Sequence, residues 1–203
     1  MKERKAIRDL ERKRSTQHLY ETFSLAGAVP GEREYSSGSI YLAPLFLHDR
    51  IDARRISMLC HSNDVATQRS CRISIYVPES GMLKTRDGAL ASPGLPSLAF
   101  RQDCGQINVT GTTLRAAFAD LGRALELDPE DLPFLAFWPQ SSNFFSSVSY
   151  GSPQNVSPRI AYSAAWSGAS WPSNVTPQSF APCPYASIRS ELGVRVYGIP
   201  GVL

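Results

Sequence analysis

Cys71-Arg72-Ile73-Ser74-Ile75-Tyr76-Val77 alternates strictly, with Cys71, Ile73, Ile75 and Val77 on one side and Arg72, Ser74 and Tyr76 on the other. A period of two sustained over seven residues marks a β-strand that buries one face. Upstream, Arg55-Ile56-Ser57-Met58-Leu59-Cys60 places Ile56, Met58 and Cys60 on a common face. The two runs are expected to be neighbouring antiparallel strands joined by the polar loop from His61 to Ser70.

The same texture extends in both directions. Ile40 to Leu47 is apolar on both faces, and Pro44 within it suggests an edge position or a bulge. Shorter strand-like runs follow at Leu98 to Arg101, Gln106 to Thr110, Phe144 to Ser149, Arg159 to Ala164 and Ala186 to Tyr197. Phe134-Leu135-Ala136-Phe137-Trp138 reads as a central strand buried on both faces. Between them, Leu114, Phe118, Leu121 and Leu125 recur at spacings of four, three and four, which predicts one amphipathic helix over Thr112 to Leu125. Trp166 to Pro184 holds two Trp, four Pro and no charged residue. An ordered loop wrapping the sandwich is expected there, because a disordered segment would rarely contain two Trp. The fold class is therefore mainly β: an antiparallel jelly-roll-like β-sandwich with one inserted helix and an N-terminal helical arm.

The arm is read from residues 1–23. Lys2 to Tyr20 lacks Gly and Pro and is dense in good helix formers, but Ile7 and Leu10 are its only strong apolar pair before Leu19. Such a helix would rest against a partner surface. Residues 24–38, with Gly27, Pro30 and Gly31, read as a linker, and the sandwich domain is assigned to 39–203.

Charge divides along the same boundary. The 203 residues carry a net +3. Residues 1–14 hold seven basic groups against three acidic ones, a local +4, while the remainder has 14 against 15. Phosphate binding needs a continuous basic surface, so the near-neutral body is not read as a nucleic-acid binder. Arg4, Lys5, Arg8, Arg12, Lys13 and Arg14 mark the arm as an attachment element, and docking on a protein neighbour is favoured over genome contact because Glu3, Asp9 and Glu11 interrupt the run. No apolar stretch approaches the roughly 18 residues of a membrane span, and the charged N-terminal run lacks a signal-peptide core. A soluble, non-secreted product is expected.

Reactive groups are sparse. Cys60, Cys71, Cys104 and Cys183 show no metal-site spacing and are read as reduced, mostly buried thiols, although Cys60 and Cys71 could meet across a hairpin. His18, His48 and His61 fall in no metal-binding frame, and His48 and Asp49, being adjacent, point to opposite faces of a strand. Glu126, Asp128, Glu130 and Asp131 form an acidic cluster read as a solvated face. No cofactor, metal or catalytic residue is assigned. The last third is richer in recognition chemistry: Trp166, Trp171, Tyr185 and Asn174 are the candidate ligand or receptor contacts, since flat rings and amides suit sugars and protein partners alike. Trp138, inside an apolar run, is read as core.

The run Tyr41 to Leu47, then Ile51 to Cys60 with its Arg-Ile-Ser centre, then Cys71 to Tyr76 followed by Gly81, resembles β-sandwich modules of tailed-bacteriophage virion proteins. Leu127 to Phe137 approximates a later element of the same modules. The resemblance implies a non-enzymatic structural protein of the virion: a tail-fibre, collar or head-appendage component, made in the host cytoplasm. It further implies homo-oligomers, often trimers, contacts with other virion proteins through the arm, and recognition of host-surface glycans. The alternatives are a carbohydrate-binding module or carbohydrate-active enzyme on a β-sandwich, and a capsid protein whose basic arm contacts the genome.

Overall fold

The computed structural model describes residues 20–21, 30–45, 47, 50–79, 97–149 and 160–189. Thirteen antiparallel strands lie among them: β1 Tyr20–Glu21, β2 Pro30–Tyr35, β3 Ser39–Pro44, β4 Ile51–Ser62, β5 Arg69–Pro78, β6 Leu98–Val109, β7 Arg115–Leu127, β8 Phe134–Pro139, β9 Phe144–Ser149, β10 Ile160–Ala165, β11 Asn174–Val175, β12 Ser179–Pro184 and β13 Ala186–Arg189. They form two sheets packed face to face. One sheet centres on β4, flanked by β7 on one side and by β13 and β9 on the other, with β1 beyond β13 and β2 beyond β9. The second runs β12-β10-β3-β8-β5-β6-β11. β12 belongs to both, pairing β10 through Ser179 to Pro182 and β9 through Cys183 and Pro184.

The alternation read for β4 and β5 is present, but the two strands are not neighbours. β4 lies in the first sheet and β5 in the second, so Ile56, Met58 and Cys60 face Cys71, Ile73 and Ile75 across the core. The polar connection crosses from sheet to sheet. All four cysteines are free thiols. β8 is the central strand its composition demanded, buried along its whole length between β3 and β5. Pro44 ends β3 beyond the β10 pairing, where its missing N–H leaves no gap in that ladder.

The predicted helix over Thr112 to Leu125 is instead β7, paired with β4 from Ile51↔Leu127 to Cys60↔Arg115. Ala117, Ala119 and Leu121 point inward, and so do Leu125 and Leu127. Between Ala53↔Leu125 and Arg55↔Asp120 the register slips, so that the four residues Leu121 to Ala124 oppose one residue, Arg54. Across this bulge Leu121 and Leu125 both face inward at a spacing of four. The inward Ala117 and Ala119 are too small to mark the strand's own period, so the large residues imitate a helical spacing. Phe118, which the helix would have buried, is 52% exposed beneath the Arg55 guanidinium.

Two further boundaries move. Of the residues read as a helical arm, the structure describes only Tyr20 and Glu21, and these pair as β1 with Ile188 and Ser187 of β13. Arg4, Lys5, Arg8, Arg12, Lys13 and Arg14 lie outside the described residues. Pro30–Tyr35, inside the stretch read as linker, forms β2 along the full length of β9. Tyr35 fixes it: its ring is buried edge-on against Tyr41 at 4.5 Å, and its hydroxyl donates to the Pro182 carbonyl at 3.2 Å.

Leu98 to Thr110, read as two pieces, contains one bulged strand, β6. Its register against β5 slips beside Ser74 and beside Tyr76. At the first slip Gly105 sits at φ +92°, with its N–H donated to Asp103 Oδ1 at 2.9 Å. No atom lies within 4 Å of the position a Cβ would take. Gly105→Ala should therefore meet backbone strain and no clash, with an expected cost of about 1 kcal/mol. Urea unfolding measures it, and an unchanged midpoint would show that the bulge relaxes freely.

Candidate functional site

The outer face of the second sheet is itself a packed layer. Ile40 and Leu42 from β3, Phe134, Ala136 and Trp138 from β8, Tyr76 from β5 and Leu98 from β6 form a buried cluster separate from the inter-sheet core. Its cover is the charge-free stretch that follows β10, with Trp166, Trp171 and Val175 laid over it. Few bonds fasten this strap. Trp166 N–H donates to Gly38 O at 2.9 Å, Tyr76 Oη to Pro172 O at 2.7 Å, and Phe100 N–H to Ser173 O at 2.7 Å. Burial, with Asp103 adding to it, raises the Tyr76 phenol above its ordinary value, so the hydroxyl stays a neutral donor.

Trp171 is the keystone of the strap. Its ring meets Trp138 at 5.3 Å and Tyr76 at 6.1 Å, and the Arg72 guanidinium stands near both Trp171 and Trp138 while pairing with Asp103. Tyr76 and Arg72 flank Ser74 along β5, and Ser74 pairs with Ala136 of β8. This small pair lies between the Arg72–Trp138 and Tyr76–Phe134 pairs, of which Arg72, Trp138 and Tyr76 stand against Trp171. Both Ser74 Oγ and Trp171 Nε1 are buried without a hydrogen-bond partner. Trp166 lies nearer the rim, and its Nε1 donates to Ser170 O at 3.0 Å. The fold of that ring back over the strap requires Gly168, where a Cβ would come within 2.4 Å of the indole.

The predicted contacts thus separate. Trp171 and Trp166 belong to the strap, and Asn174 is exposed on its far end, opposite Ala99 of β6. Tyr185 is buried in the inter-sheet core, on the other side of the sheet. Trp138 is in the second layer, its Nε1 donating to Ser37 O at 3.3 Å. Phe180 was not singled out by the sequence reading, yet it is 74% exposed on β12, beside Tyr162 of β10 with ring centroids 5.5 Å apart. Ala181 and Cys183 are the inward residues of β12, so Phe180 points out; in the sequence only the alternation Phe180-Ala181-Pro182-Cys183 hints at it. No family model matches this chain, and no curated protein matches it.

Among the described residues three thiols are held in an unreactive state. Burial pushes the Cys60 and Cys104 thiols up to about 12 and raises Cys71 as well, which removes the thiolate at neutral pH. A shallow cleft of about 400 Å³ lies where β6 and β7 run side by side, floored by Cys104 and Leu121. Its two carboxylates are engaged: Asp103 by Arg72, and Asp120 by Arg55, whose hydrogen bond holds the Asp120 carboxyl below the usual range. Glu126, Asp128, Glu130 and Asp131 surround a 3-10 turn at Pro129–Asp131, with Glu126 paired to Arg50 and Asp131 to Arg101. Among the described residues no group of three or more His, Cys, Asp and Glu stands close enough to hold a metal. His61 bridges strands: Nδ1 donates to Ser62 O at 2.8 Å, Nε2 lies 3.1 Å from Glu32 on β2, and the ring stacks on Phe145 of β9 at 4.9 Å. His48 and Asp49 lie outside the described residues. No helix among the described residues is long and apolar enough to cross a membrane.

Proposed function

We propose that the chain is a non-enzymatic structural component of a tailed-phage particle, a tail-fibre, collar or appendage module that assembles as a homo-oligomer and is displayed towards the host. The observation that carries this reading is how the N-terminal side joins the body. β1 is hydrogen-bonded to the sheet edge at β13, and β2 runs the length of β9 with Tyr35 buried in the core. The basic segment precedes these strands in the sequence, so a partner bound to it would be linked to the sheet edges, which is what an attachment element requires. The jelly-roll assignment draws support from the path of the chain, which passes between the sheets at most connections from β3 to β10. Host glycans are the proposed receptors.

Deleting residues 1–19 tests the tether. The shortened chain is expected to melt within a few degrees of the full one and to fail to enter particles; undiminished incorporation overturns the reading. Salt-sensitive binding of DNA by the full chain, lost on deletion, would favour the genome-contacting capsid role instead. The carbohydrate-binding module is the second reading, and the exposed Phe180 ring beside half-buried Tyr162 favours it.

A further inference from the structure

β12 places small residues in the core and a large one outside. Ala181 and Cys183 are buried while Phe180 is 74% exposed, and its register partner on β10 is Tyr162. The two rings stand 5.5 Å apart at 41°, a tilted pair in which Phe180 is open to solvent and Tyr162 is half-buried behind it. Beside it Gln178 is pinned at both ends. Its backbone N–H donates to Ser163 O at 2.9 Å, and its Oε1 accepts the Ala165 N–H at 3.2 Å. The side-chain amide is therefore fixed in place, with its NH2 available to donate. Two residues of extended chain separate Gln178 from Phe180, about 7 Å, comparable with the span of one sugar ring. Residues 160–184 contain no charged or histidine side chain.

We infer that Phe180, Tyr162 and Gln178 form a binding platform for a neutral glycan, one sugar ring stacking on Phe180 while Gln178 donates to its hydroxyls. The inference deepens the glycan-recognition half of the proposed function and rests on that reading. A stacking ring beside a pre-positioned amide matches a sugar, which offers a CH face and a polar rim. An anionic glycan would find no cation in residues 160–184. A stable protein interface would call for a contiguous apolar patch of several hundred Å², larger than one exposed ring pair.

The experiment presents the full chain to an array of neutral oligosaccharides of hexoses, deoxyhexoses and N-acetylhexosamines, with sialylated and uronic-acid glycans alongside. Binding to at least one neutral glycan is expected, weakened about tenfold or more by Phe180→Ala and less by Gln178→Ala. Because Phe180 is exposed, its variant should keep the wild-type melting temperature. No neutral ligand, binding confined to acidic glycans, or unchanged binding by the Phe180 variant overturns the inference. So does a concentration-dependent dimer that Phe180→Ala abolishes without any glycan bound, since a second copy would then occupy the platform. Particle incorporation after deletion of residues 1–19 is a separate measurement, so a failure of the tether and a failure of the platform are told apart.

Discussion

Above about pH 9 the protein is expected to lose stability steeply, at roughly 4 kcal/mol for each pH unit contributed by three core thiols. Cys60, Cys71 and Cys104 all stand in the inter-sheet core, and burial is the first cause of each raised value. Asp103 adds to it at Cys104, whereas Arg115 opposes it at Cys60. In the unfolded chain a thiol ionises near about 8.5. Below that pH the contribution of the neutral thiols is complete. Above it the unfolded chain gives up three protons that the folded chain retains, and unfolding is drawn forward until the native thiols themselves ionise, at about 12 for Cys60 and Cys104. Tyr35, raised by the same burial, adds to the loss at still higher pH. Urea midpoints measured at intervals between about pH 8 and pH 10.5 give the slope. In the Cys60→Ala/Cys104→Ala double variant only about a third of that slope should remain, whatever cavity cost the substitutions add at every pH. A flat wild-type profile across this range would show that the thiols are not held neutral.

Trp171→Ala is expected to cost about 3 kcal/mol or more, because it removes the ring against which Trp138, Tyr76 and Arg72 pack and leaves the volume of the indole empty. In a chain of this size that corresponds to a fall of roughly 6–12 °C in melting temperature. Trp171→Phe separates the ring from its polar atom. It retains most of the packing and deletes an Nε1–H that is buried without a partner, so the two effects offset and a change within about 1 kcal/mol is expected. Thermal melts of the two variants decide the matter. An Ala variant as stable as the wild type would free Trp171 from the fold and return it to the ligand contacts.

The sequence was most informative where one periodicity ruled. Cys71 to Val77 showed its inward set correctly, and the unbroken apolarity of Phe134 to Trp138 reported a strand covered on both sides. It could not show that Arg72, Ser74 and Tyr76, the polar face of β5, would lie under a second layer, because Trp171 and its strap arrive from a hundred residues away. β7 misled for a local reason: the Leu121 to Ala124 bulge sets the inward Leu121 and Leu125 four apart, while the inward Ala117 and Ala119 are small and the large Phe118 faces out. Of the charge-free, Trp-bearing stretch expected as a loop, the part from Trp166 to Val175 lies over the sandwich, whereas Ser179–Pro184 is the strand β12 of the sandwich itself. Composition alone could not separate Trp171, which packs, from Phe180, which projects. That distinction depends on which side of β12 faces the core.

β12 has a consequence for cooperativity. Its first four residues complete one sheet and its last two extend the other, so a single strand carries hydrogen bonds of both. Neither sheet can melt alone without stripping partners from its counterpart. The two layers thus form one foldon: the slowest amide protons of β4 and of β8 must wait for the same global opening, while the two-residue β1 at the margin exchanges by local fraying.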